Sequence, residues 1–206
     1  MTAMLPAQIN PHFLYNSFDS INHMIRAGEK RQAIEMINAL SSMFRFVSST
    51  HTQLIPLEEE IKYCRQYVSI MEMRFADMIR FSFEIEPLAL SFSTMKFIIQ
   101  PLIENSINHG LRHAGRHGVV TIKAFVADDI LHVIVSDDGI GISPQKLELI
   151  RETLRHPRQT ESIGLQNIHN RIRNQFGSDY GIVIDASLDN GAAVSILQPA
   201  DSIHKQ

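Results

Sequence analysis

In the run Gln8-Ile9-Asn10-Pro11-His12-Phe13-Leu14-Tyr15-Asn16 a histidine directly follows a proline and leads into helical spacing, so the sequence offers an imidazole at a helix start. Pro11 suits the first helical position, which sets His12 in the opening turn. Near pH 7 an imidazole is largely neutral, so one ring nitrogen carries a lone pair that can act as a nucleophile. The positive end of the helix disfavours imidazolium and favours a phosphorylated, negatively charged product. Viewed alone, a solvated histidine at a helix start needs no function, and the chain has 10 histidines.

Three later segments combine polar side chains with glycine. Gln100-Pro101-Leu102-Ile103-Glu104-Asn105-Ser106-Ile107-Asn108-His109-Gly110 sets Glu104, Asn105, Asn108 and His109 among core residues. An Asn oxygen is a hard ligand suited to Mg²⁺, which takes few protein ligands and completes its shell with water and phosphates, and Asn105 is the candidate. Asp137-Asp138-Gly139-Ile140-Gly141 follows the apolar strand ILHVIVS. There a carboxylate could accept from the exocyclic amine of adenine while the glycines let backbone approach a flat ring, although Asp-Gly after a strand is also ordinary turn chemistry. In Ser162-Ile163-Gly164-Leu165-Gln166-Asn167 a glycine opens an expected helix, whose unpaired N–H groups favour phosphate.

Taken together and in order, these segments resemble the N, G1 and G2 boxes of the ATP-binding fold shared by histidine kinases, type II topoisomerases, Hsp90 and mismatch-repair ATPases. The stretch around His12 resembles the phosphoacceptor motif of the LytS/YehU-type sensor histidine kinases, and the resemblance to that family covers nearly the entire chain, including Arg45-Phe46, Leu57-Glu58-Glu59-Glu60, Tyr67, Arg74-Phe75 and Gln100-Pro101. The resemblance implies autophosphorylation of His12 by Mg-ATP, then transfer to an aspartate of a response regulator. By it, Asn105 holds Mg²⁺ and Asp137 the adenine, with Gly139 and Gly141 as adjoining backbone. Asn108, His109 and Ser162 belong to the nucleotide-binding set, while Gly164, Leu165 and Asn167 close the phosphate side. Glu104 would orient or deprotonate the imidazole, or serve a structural hydrogen bond, and residues 142–161 would form the lid over the nucleotide. The chain departs from the pattern at Asn108, where lysine or arginine is common and Arg112 or His109 would compensate. It departs again at Ser162 in place of a first glycine, at Asp138 in place of asparagine, and at Pro101, one turn before Asn105.

These groups must be positioned by two kinds of element. The first third shows helical stripes: Leu14, Phe18, Ile21 and Ile25, then, after the Ala27-Gly28 break, Ile34, Ile37, Leu40, Phe44 and Val47. Leu57, Ile61, Cys64, Val68, Met71 and Phe75 follow in heptad rhythm, with Glu58, Glu59, Glu60, Lys62 and Arg65 on the other side. Such stripes bury themselves in a bundle or against a second subunit, and the resemblance favours a homodimer. From about residue 80 the pattern becomes α+β. A strand through Phe81, Phe83 and Ile85 precedes a helix from Met95 to His109 capped by Thr94, and the runs VVTIKAFV and ILHVIVS make a hairpin at Ala127-Asp128-Asp129. A helix through Leu147, Ile150 and Leu154, another from Leu165 to Phe176, and a hairpin at Asp189-Asn190-Gly191 complete it. The expected division is a helical dimerisation and phosphoacceptor region over 1–79, an α/β sandwich ATP-binding domain over 80–200 and a tail over 201–206.

A hydrophobic content of 44% in 206 residues supports packed cores, and a net charge of −3 with pI near 6.4 argues against nucleic acid as a direct partner. One cysteine, Cys64, permits neither an intramolecular disulfide nor a multi-cysteine zinc site, which fits a reducing, cytoplasmic setting. No apolar run approaches the roughly 20 residues of a membrane span. The helical pattern begins with almost no lead-in, as in a piece of a longer protein, and the resemblance places a membrane-anchored sensor segment before residue 1. Two other readings share this fold: a nucleotide-gated dimeric binding module, and an ATP hydrolase of the topoisomerase or Hsp90 kind.

Overall fold

The computed structural model describes residues 11–49, 52–75, 78–111, 117–155, 163–186 and 190–201 and separates into two compact units. One holds the chain up to residue 52 together with 62–76, and the other holds 53–61 and everything from 77 on. Gln8, Ile9, Asn10, Arg112, Ser162 and Asp189 lie outside the described residues, as do residues 156–161 of the expected lid.

The helical unit is built from α1 (Pro11–Arg26), α2 (Lys30–Ser48) and most of α3 (Leu57–Phe75). Between α1 and α2 the chain turns at Gly28, whose φ of +82° lets the Glu29 N–H reach the Met24 carbonyl and the Gly28 N–H reach that of Ile25. That pair of bonds closes the helix end, and a side chain at Gly28 would strain it. Phe13 stacks on Tyr67 at 5.4 Å between centroids and Phe46 on Tyr63 at 4.7 Å. The α3 stripe is buried as its heptad rhythm predicts, from Leu57 through Ile61, Cys64 and Val68 to Met71.

The other two stripes are mostly not the buried ones. Ile21 and Leu40 are enclosed, but Phe18, Ile25, Ile34, Ile37 and Phe44 are 40–57% exposed. The buried rows instead run through Phe13, Ser17, Ile21 and Met24, and through Ala33, Met36, Ala39, Leu40 and Met43. Small alanines allow close approach and flexible methionines fill the gaps, so the packed face carries fewer of the large branched residues that spacing picks out. Glu60 is a second correction: spacing sets it among the outer charges of α3, yet it is fully buried.

In the second unit β1 (Leu54–Pro56) precedes the first turn of α3, and β2 (Ile79–Ile85) follows that helix. A 3₁₀ turn over Pro87–Ser91 leads to β3 (Ser93–Met95), which pairs antiparallel with β1. Next come α4 (Gln100–Asn105), extended by a π-helical turn over Ser106–Leu111, then β4 (Gly118–Ala127) and β5 (Ile130–Asp137). The unit ends with α5 (Pro144–Arg155), α6 (Ile163–Phe176), β6 (Gly181–Asp185) and β7 (Ala192–Pro199). The larger sheet has the order β2-β4-β5-β7-β6; β2 runs parallel to β4 and every other pair is antiparallel. Asp128 and Asp129 turn the β4–β5 hairpin with φ of 51° and 60°, the backbone of a tight two-residue turn that aspartate tolerates.

Strict alternation puts Val120, Ile122 and Ala124 of β4 and Leu131, Val133 and Val135 of β5 on one buried face. Ile107 and Leu111 of the π turn and Ile168 and Ile172 of α6 are buried with them, and these elements pack against the sheet. The expected α/β sandwich is therefore present. The helix expected from Met95 starts later, at Gln100, because strand pairing claims the residues before it: Ser93, Thr94 and Met95 belong to β3. The Thr94 hydroxyl faces the Gln198 amide oxygen at 3.2 Å rather than capping a helix.

Candidate nucleotide site

The alternation that buries Leu131, Val133 and Val135 also carries Asp137, the last residue of β5, onto the covered face, where it is 9% exposed. Its Oδ1 accepts the Gly139 N–H at 3.0 Å, and the Ser106 hydroxyl also hydrogen-bonds to it. Burial pushes the carboxyl above its ordinary range and the neighbouring Asp138 adds to this, while the Gly139 and Ser106 bonds oppose the rise. The carboxylate is thus partly desolvated, and an amine donor arriving there would meet a strong acceptor.

Glycine is required around it by close approach. A Cβ on Gly110 would stand 2.4 Å from Asp137 Oδ1, and one on Gly139 would stand 2.4 Å from the Gly110 carbonyl group. The Ile140 N–H donates to the Gly110 carbonyl at 3.2 Å, so the Asn105–Gly110 segment and the Asp137–Gly141 segment are joined directly. Gly141 (φ +72°) meets Gly191 (φ +82°), and a Cβ on Gly191 would collide with the Asp137 carbonyl oxygen. Ser106, Gly110 and Gly191 stand outside the set of site residues chosen from sequence; Gly110 was legible as part of its motif, whereas Gly191 read as a turn glycine.

The π turn begins immediately after Asn105, and such turns gather at functional sites because they widen the helix and re-aim side chains. Asn105 is half-buried on the last turn of α4, whereas Asn108 and His109 are exposed on the π turn. Glu104 Oε1 accepts from Gln100 Nε2 at 2.8 Å, one turn back on the same helix. Asp138, the departure from asparagine, accepts the Val119 N–H at 2.8 Å and so ties the segment to β4. Gly164 and Asn167 are exposed on the first turns of α6 and Leu165 is half-buried; a Cβ on Gly164 would meet nothing within 4 Å. Helix α5 rests on α6, where buried Gln166 donates to the Thr153 carbonyl at 3.2 Å.

Among the described residues no cluster of three or more His, Cys, Asp or Glu side chains could hold a metal ion unaided. The hard amide oxygen of Asn105 fits Mg²⁺ as a single protein ligand, with the rest of the shell left to phosphate and water. In the helical unit His12 is exposed in the first turn of α1, and Asn16 Nδ2 lies 3.2 Å from both of its ring nitrogens. Among the described residues no helix is long and apolar enough to cross a membrane.

Residues 1–79 match the family described as histidine kinase, and residues 93–202 match the histidine kinase-, DNA gyrase B- and HSP90-like ATPase family. The sensor protein kinase HptS of Staphylococcus aureus (strain USA300) is 35% identical over 188 residues, which is 91% of this chain but only 36% of HptS. The fold is that of the catalytic domain of histidine kinase ThkA, with TM-score 0.54 at 19% identity over 74% of this chain and 99% of that one. The mycobacterial sensor histidine kinase MprB aligns with TM-score 0.52 at 17% identity over 73% of this chain and 98% of its own. With its ATPase match covering more than half of its length and the histidine kinase match ahead of it, this chain belongs to the histidine kinase family.

Proposed function

We propose that this chain is the phosphoacceptor and ATP-binding portion of a LytS/YehU-type sensor histidine kinase that transfers the γ-phosphoryl group of ATP to His12. The observation that carries this reading is the enclosed Asp137 carboxylate, held between the glycines of two motif segments, on the same chain as an exposed imidazole at a helix start. Asp137 accepts from the adenine amine, and the glycine backbone of 139–141 lies along the ring. The first turn of α6, with Gly164, Leu165 and Asn167, presents backbone N–H groups to the phosphates. Asn105 holds Mg²⁺, which when bound neutralises phosphate charge. Asn108 and His109 line the same segment, and Ser162 belongs to the set on its motif position alone.

Phosphoryl transfer asks the protein for position and charge rather than covalent help. A ring nitrogen of His12 supplies its lone pair to the γ-phosphorus as the bond to the ADP oxygen breaks, and the other ring nitrogen then gives up its proton. Glu104, steadied by Gln100, is the residue we assign to orient the ring or take that proton. Asn16 steadies His12 from its own helix. The phosphate then passes to an aspartate of a response regulator. The exposed row Phe18, Ile25, Ile34, Ile37 and Phe44 supports a homodimer through the helical unit. The sensor segment and its membrane anchor would lie in the part of the protein beyond this chain.

Incubation with γ-labelled Mg-ATP is expected to leave acid-labile, base-stable label on the protein, and His12→Gln to abolish it while nucleotide binding stays unchanged. Undiminished label on that variant would remove His12 from the reaction.

A further inference from the structure

Glu60 is a fully buried carboxylate that the phosphoryl transfer above does not use. Its Oε2 accepts the N–H of Phe97 at 3.0 Å, and its Oε1 accepts those of Ile98 at 3.0 Å and Ile99 at 3.2 Å. Three consecutive amides converge on one anion because Phe97 has a φ of 59°, a left-handed conformation that a bulky residue rarely adopts. The far side of the same turn is held by Arg171, which donates from Nη2 to the Lys96 carbonyl at 2.7 Å and from Nη1 to the Phe97 carbonyl at 3.4 Å. Arg171 stands one helical turn beyond Asn167 on α6, and α4 begins at Gln100, directly after the clamped turn.

We propose that Glu60 is a positioning residue for phosphoryl transfer: as the anion of a backbone nest it fixes the turn that launches α4 and, through Arg171, ties that turn to α6, holding Asn105 and Asn167 in register. Burying a carboxylate is costly, and an apolar side chain would fill the same space more cheaply. Here the charge shapes the backbone. Burial pushes the carboxyl above its ordinary range, and the three N–H groups and the Arg171 guanidinium pull it back. Without that acceptor the three amides lose their partner and Phe97 loses the bond that holds its strained φ. The distance from Gln100 to Asn105 along the helix is about 7.5 Å, so a swing of about 10° moves Asn105 by about 1 Å. A displacement of that size costs roughly a hundredfold in rate.

This inference rests on the kinase reading, and the test separates the two. In the full chain, Glu60→Gln keeps side-chain size and the acceptors for Ile98 and Ile99, but turns an N–H toward that of Phe97 and removes the charge. Adenosine affinity, a property of the Asp137 end, is expected to change less than about twofold. The Mg²⁺ concentration for half-maximal labelling by γ-labelled ATP is expected to rise about tenfold or more, and the maximal labelling rate to fall about a hundredfold. An unchanged Mg²⁺ requirement and rate in a variant with native circular dichroism would overturn the assignment while leaving the kinase reading intact; a wild-type chain that takes no label overturns both. If Glu60→Gln does not fold, Arg171→Lys decides instead. It keeps the charge but loses one arm of the fork, and the same rise in Mg²⁺ requirement supports the assignment while a wild-type requirement defeats it.

Discussion

His12 and Asp137 are the two side chains on which the proposed reaction depends most, and their surroundings are opposites. Asp137 ends a strand on the covered face of the sheet, with Gly110, Gly139 and Gly191 packed so closely that a single methyl group would collide at each. His12 is exposed on the first turn of a helix, with the Asn16 amide beside its ring. A base is the same flat group in every turnover, so its reader gains from a rigid, desolvated setting. An acceptor that must meet a donor phosphate and then a second protein gains from access. The contrast also explains how differently the two are recognised: enclosure marks Asp137 in the structure itself, whereas only the residues around His12 distinguish it from a solvated histidine.

Filling the base-reading end of the ATP unit has the largest expected effect. Gly110→Ala sets a Cβ 2.4 Å from Asp137 Oδ1, so either the π turn or the carboxylate must shift. Overpacking of this kind costs about 1–3 kcal/mol, and the melting temperature is expected to fall while adenine-nucleotide binding is lost. Native affinity in a folded Gly110→Ala variant, measured by titration calorimetry, would show that this clamp is not needed. A smaller change leaves the packing alone. Asp137→Asn removes the charge but not the shape, and a charge-assisted bond to the adenine amine of about 1.5–3 kcal/mol corresponds to a loss in affinity of roughly 10-fold to 100-fold. Because burial holds the Asp137 carboxyl above its ordinary range, wild-type affinity is expected to weaken as pH falls through that raised value, while the Asn variant stays flat. Parallel pH profiles for the two proteins would remove Asp137 as the reader.

Much of the ATP unit is legible from spacing, because alternation in VVTIKAFV and ILHVIVS is a direct record of which face is covered. The same parity puts Asp137 inside, and the three motif segments in order are specific enough to name the fold. Less legible are features set by contacts far apart in the chain. Glu60 sits among charges in the sequence, and only the turn over residues 97–99, brought against it by folding, explains its burial. The start of α4 at Gln100 has the same origin, since the pairing of β3 with β1 claims residues that would otherwise open a helix. In the helical unit the packed rows are carried by Ala33, Met36, Ala39 and Met43, so a search for large branched residues finds the outward row instead.

A second histidine, enclosed where His12 is exposed, carries the smallest expected effect. His169 on α6 is buried, and its Nδ1 accepts the Ile182 N–H at 3.0 Å, which fixes the ring as a neutral acceptor against β6. Burial lowers its pKa first, and the nearby Arg173 charge adds to this. The unfolded chain therefore takes a proton at the ordinary imidazole value near 6.5, before the folded protein does, so the contribution of this site to stability is complete above that pH and declines below it. The decline is bounded at about 1.4 kcal/mol for each pH unit between the two pKa values. His169→Asn keeps an acceptor for Ile182 without a titrating ring, and its melting temperature is expected to change less between pH 7 and pH 5.5 than that of the wild type. At pH 7.5 the same variant should label on His12 at a rate close to the wild type, because the ring at 169 is already occupied and enclosed. A pH response identical to wild type would show that His169 does not titrate in this window.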